Sequence, residues 1–71
     1  MTERAFSQLL KGNQVRYEKP NNYLKNALGI SERTTVTYIN EPSKMSVSTL
    51  MIMVRELHLR DEDLVSYLTE R

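Results

Sequence analysis

The run Leu28-Gly29-Ile30-Ser31 constrains this chain more than any other feature, because it sets a break between two segments of helical period. Leu24, Ala27 and Leu28 fall at i, i+3 and i+4, so they share one face of a first helix. Gly29 supplies the permissive backbone of a tight turn, since only glycine takes positive φ at little cost. Ile30 is expected to drop back into the core. Ser31 is placed to cap a second helix, with Glu32 at its positive end. Thr35, Tyr38 and Ile39 repeat the apolar spacing and are expected to face the first helix, while Glu32, Arg33, Val36, Thr37 and Asn40 point the other way. The second helix ends near Asn40, where Glu41-Pro42 cannot continue it.

The flanking segments are also helical by period. Thr2 can cap a helix whose stripe is Ala5, Phe6, Leu9 and Leu10, with Gly12-Asn13 as its stop signal. Residues 14 to 18 alternate polar and apolar, and Lys19-Pro20 is extended, so 12 to 20 form an edge strand, a strand paired across a dimer, or an irregular loop. Of these the irregular loop is expected. Residues 41 to 45 read as a polar loop containing Lys44. Ser46 caps a further helix with Val47, Leu50, Met51, Val54 and Leu57 at helical spacing, widened by Ile52 and Met53. After the link His58-Leu59-Arg60, Asp61 caps a last helix whose Leu64, Val65 and Leu68 face inward with Tyr67 beside them. The expected fold is all-α, a small bundle of four to five helices forming one domain over residues 1–71.

Composition excludes more than it assigns. Seventy-one residues support one small core. Without cysteine there is no disulfide or thiolate metal site, and a reducing cytoplasm fits. No apolar run approaches the roughly 20 residues that span a bilayer, and MTERAFSQLL lacks the apolar region and cleavage site of a signal peptide. Net charge is only +1, but residues 1 to 44 carry seven Lys/Arg against four Asp/Glu, and residues 45 to 71 carry three against five. The two predicted helices at 21–40 therefore lie in the basic half, as phosphate contact requires. Neither a phosphate loop nor a nucleophile motif is present, so an enzyme is not expected. The single histidine, His58, reads as a helix-end residue, and Asp61, Glu62 and Asp63 lack the spacing of a calcium loop.

A helix that buries one face and offers Arg33, Val36, Thr37 and Asn40 on the other suits a DNA major groove: arginine pairs with guanine, asparagine with adenine, and valine meets a thymine methyl. Thr34, Lys44 and the amide groups near Asn22 suit phosphates. Glu32 supports the cap and dipole, or accepts from a cytosine amino group. LKNALGISERTTVTYIN resembles the helix-turn-helix of the phage repressor and Cro family, the lambda-repressor-like domains. Leu24, Leu28, Gly29, Ile30, Ser31, Arg33, Thr34 and Ile39 carry the likeness, which covers roughly residues 20 to 69. Two residues depart from that family's pattern: Lys25 replaces a small alanine and Thr35 a larger apolar residue, which leaves Thr35 or Val36 as the core residue. The join between the first two predicted helices is also longer than the family's. The resemblance implies a cytoplasmic transcriptional regulator in a bacterial cell or phage-infected host. It would bind double-stranded DNA as a homodimer, without cofactor, metal, membrane or small-molecule substrate. The other reading is a helical protein-interaction module, or a recombination accessory protein, that reads no bases.

Overall fold

The computed structural model describes residues 1–70. Five α-helices, α1 (Glu3–Arg16), α2 (Asn21–Leu28), α3 (Glu32–Asn40), α4 (Val47–Glu56) and α5 (Asp61–Glu70), follow one another, with a 3₁₀ turn at Pro42–Lys44. No strand occurs among the described residues. The Cα radius of gyration is 10.9 Å, close to the roughly 11 Å of a compact chain of this length. No described helix is long and apolar enough to cross a membrane.

Caps set the starts of these helices. Thr2, Ser31 and Ser46 each accept a backbone N–H three residues on, those of Ala5, Thr34 and Thr49, which satisfies a donor the helix cannot. Their ends are set by a device that only one glycine announces. Behind α2, Gly29 takes φ 68 and the Ile30 N–H bonds the Lys25 carbonyl. Glu18 (φ 54) behind α1 and His58 (φ 55) behind α4 adopt the same left-handed turn. There the Lys19 and Leu59 N–H groups bond the carbonyls of Gln14 and Val54. All three ends share this left-handed residue and the bond that follows it.

That device overturns the reading of residues 12 to 20. α1 runs straight through Gly12-Asn13 to Arg16, and neither a strand nor a long loop exists there. One mid-helix glycine costs only about 1 kcal/mol, and tertiary bonds outweigh it. Asn13 Nδ2 donates to the Leu57 carbonyl at 2.7 Å, and Gln14 Nε2 to the Lys19 carbonyl and to Asn21 Oδ1. The join between α1 and α2 is therefore short, Tyr17 to Pro20. Pro20 holds the cap position of α2, and Asn21 and Asn22 both lie inside the helix.

The core joins Phe6 and Leu10 of α1, Leu24 of α2, Ile39 of α3, Leu50, Met53, Val54 and Leu57 around α4, and Leu64 and Tyr67 of α5. Phe6 and Tyr67 stack with centroids 4.1 Å apart and planes 9° apart. That stack sets the rotation of α5: Tyr67 is central, and Val65 and Leu68, expected inside, are exposed. α4 is likewise rotated from its expected stripe, with Met53 buried and Val47 and Met51 exposed. Ala5 and Ala27 are exposed, and Ile30 is only half-buried. The expected loop at 41–45 instead packs Pro42 and Met45 into the interior. Asp61 is the first residue of α5, not its cap; the Arg60 carbonyl accepts from the Asp63 and Leu64 N–H groups. In α3 the core residue is Thr35, fully buried, while Val36 is 40% exposed. The Thr35 hydroxyl donates to the Ser31 carbonyl at 3.0 Å, so a polar residue sits there without an unmet bond.

Candidate nucleic-acid interface

α3 packs against α2, α1 and the 3₁₀ turn, and these contacts fix which of its faces is open. Ile39 is anchored twice: its side chain is in the core, and its carbonyl accepts from the buried Ser7 hydroxyl at 2.7 Å. Away from Thr35 and Ile39, Arg33, Val36 and Asn40 are exposed. Arg33, Val36 and Asn40 follow helical spacing, so they line one face. Arg33 to Asn40 spans about 10 Å along the axis at a rise of about 1.5 Å per residue, or roughly three base pairs.

The other sequence candidates are less open. Thr37 is half-buried and its hydroxyl donates to the Arg33 carbonyl at 3.1 Å, leaving only acceptor lone pairs toward solvent. Thr34 is also half-buried, its N–H on Ser31 Oγ and its hydroxyl oxygen accepting from the same Oγ at 2.9 Å. Its place is the cap, beside the start of α3. Glu32 stands in that first turn, exposed, where it favours the helix dipole. Lys44 lies beyond the C-terminus of α3, in the 3₁₀ turn. Its ammonium is 3.5 Å from Glu41, with both side chains more than half exposed. Such a pair is worth about 0–1 kcal/mol, so a phosphate can displace it. Asn22 is exposed in the first turn of α2, whose N-terminus has no side-chain cap. The eight candidates thus divide into a reading face on α3, a cap at its start, and two flanking positions.

Away from α3, the structure gathers residues that the sequence left scattered. Arg16 and Tyr17, read as strand-like or loop, end α1 beside His58; the Tyr17 and His58 rings are 4.4 Å apart. Nothing in the sequence pointed to this cluster, because it depends on α1 continuing past Gly12. Across α1–α4, Lys19 donates to the Tyr23 hydroxyl at 3.1 Å, and that hydroxyl donates to Glu56 at 2.8 Å. The hydrogen bond to Tyr23, then the charge of Glu56, hold the Lys19 ammonium above its ordinary pKa against the cost of desolvation. Among the described residues no three His, Asp or Glu side chains are gathered closely enough to hold a metal ion. No family model matches the chain, and no curated protein or solved structure matches it.

Proposed function

We propose that the protein is a sequence-specific DNA-binding transcriptional regulator of the phage repressor or Cro type, with α3 entering the major groove. The observation that carries this reading is the division of α3: Thr35 and Ile39 are buried while Arg33, Val36 and Asn40 stand exposed away from them. Arg33 would take a guanine edge, Val36 a thymine methyl and Asn40 an adenine edge. Lys44, Asn22 and Thr34 would meet phosphates, which set register without reading sequence. A face about three base pairs long reads too little for one copy to be specific, so a homodimer on a two-fold site is part of the reading. Val65 and Leu68, exposed on α5, are apolar groups that a dimer contact could use. Its mechanism is occupancy, blocking or recruiting polymerase.

The test is selection of a binding site from a randomised duplex pool, followed by Arg33→Ala. That change is expected to cost roughly 1–3 kcal/mol on the selected site and much less on random DNA. Equal losses on both would make Arg33 a phosphate contact and remove it from the reading face. One observation favours a second reading, a helical protein-interaction module or recombination accessory protein: Val47 (69%) and Met51 (45%) are exposed one turn apart on α4. A salt-insensitive protein partner, with no DNA shift at low salt, would select it.

A further inference from the structure

Two hydrogen bonds tie α1 to the C-terminal end of α3 and the turn behind it. The buried Ser7 hydroxyl donates to the Ile39 carbonyl at 2.7 Å, and Glu3 Oε1 accepts from the Ser43 N–H at 2.9 Å. Asn40 and Lys44, two of the residues assigned to the duplex, directly follow these anchors in the chain. Arg4, Ser7, Gln8 and Lys11 recur at i, i+3, i+4 and i+7, so they share one side of α1. Arg4 and Lys11 therefore border the seam between α1 and α3, about one turn to either side of the Ser7 anchor.

Both side chains are exposed. Ion pairs engage Lys19, Lys44 and Arg60, whereas Arg4 and Lys11 enter none among the described residues. The carboxylate within α1 is that of Glu3, which bonds the Ser43 N–H. Glu18 follows past the helix end, about two turns beyond Lys11. This edge thus carries two cations that no ion pair of the fold uses. The other exposed positions beside them, Ala5, Gln8, Gly12 and Val15, include one large apolar group, too few for a helix that lies in a lipid surface. Arg4 and Lys11 stand about 10 Å apart along the helix. Successive phosphates of one strand advance about 3.4 Å along a duplex, so the two cations can hold separate phosphates.

We infer that Arg4 and Lys11 bind backbone phosphates of the duplex that α3 enters, extending the contact from the 3₁₀ turn along α1. The inference rests on the DNA reading of α3. It adds two phosphate contacts, which strengthen binding to any sequence and leave base discrimination to Arg33, Val36 and Asn40.

The test is a salt series of duplex-pool binding with Arg4→Gln, Lys11→Gln and the double variant, read by fluorescence anisotropy. Each single change should lower the slope of log K against log salt by about 0.9, and both together by about 1.8. From about 50 to about 200 mM salt the double variant should therefore lose about tenfold less affinity than the native chain. Arg4→Lys combined with Lys11→Arg keeps both charges and should keep the native slope. Arg55→Gln is the control of equal charge. Arg55 is exposed and lies two residues before Leu57, whose carbonyl accepts from Asn13, on another side of α1 from Lys11; its loss should leave the slope unchanged. A native slope that the double variant leaves unaltered, or that Arg55→Gln lowers as much as Arg4→Gln does, overturns the inference while the reading of α3 stands. A native chain that binds no duplex removes both.

Discussion

The chain has two glycines, and the same substitution at each should move stability in opposite directions. Gly12 lies inside α1, exposed, and a Cβ added there meets no heavy atom within 4 Å. Gly12→Ala therefore recovers the helix propensity that glycine forfeits, about 0.5–1 kcal/mol. At Gly29 an added Cβ also meets nothing within 4 Å, but φ is +68°. The cost there is the local clash of Cβ with its own backbone, about 1–2 kcal/mol, with no packing term. The two variants should thus differ by roughly 1.5–3 kcal/mol. In a domain of this size 1 kcal/mol is about 4–8 °C in Tm, so the gap is easily resolved. Urea unfolding followed by far-ultraviolet circular dichroism measures it, with an unchanged m-value marking a shift of stability alone. A loss on Gly12→Ala would mean that α1 ends at Gly12, and the argument for a continuous α1 would fail.

Glu18→Gly should stabilise the protein by about 0.5–1 kcal/mol, because it relieves a left-handed residue behind α1 while adding chain entropy. His58→Gly should gain less, since it also forfeits the ring contact with Tyr17; equilibrium unfolding of both variants checks the order. The ammonium of Lys19 is held above its ordinary pKa of 10.5, first by its hydrogen bond to Tyr23. A raised folded value means that its stabilisation is complete below pH 10.5 and is lost as pH climbs through the folded pKa. The Tm difference between the native chain and Lys19→Met should stay constant from neutral pH to about pH 10 and then narrow; a difference that grows there would contradict the geometry.

What was legible in the sequence is local. Ser31, Ser46 and Thr2 cap as their spacing predicts, and Gly29 ends α2, because a cap depends on residues within one turn. The two faces of α3 were legible for the same reason: Thr35 and Ile39 went in, Arg33, Val36 and Asn40 out. The end of α1 was not, because a non-glycine residue, Glu18, takes the left-handed position while Gly12 only imitates a stop. Nor was the rotation of α4 and α5. Val47, Met51, Val65 and Leu68 are as apolar as the residues beside them, and the choice was made by partners distant in sequence, above all Phe6 against Tyr67. The hydroxyl bonds of Thr34, which accepts from Ser31, and of Thr37, which spends its donor on the Arg33 carbonyl, are likewise a matter of rotamers that periodicity does not carry.

The measurement closest to the central claim is fluorescence anisotropy of a random duplex pool titrated with the protein across a salt series. If α3 and its flanks engage a duplex, log K falls linearly with log salt, by about 0.9 per phosphate neutralised. Lys44→Ala should then lower that slope by about one. Absence of binding at low salt, or binding that salt does not weaken, would contradict the account and leave the exposed face of α3 without a duplex to read.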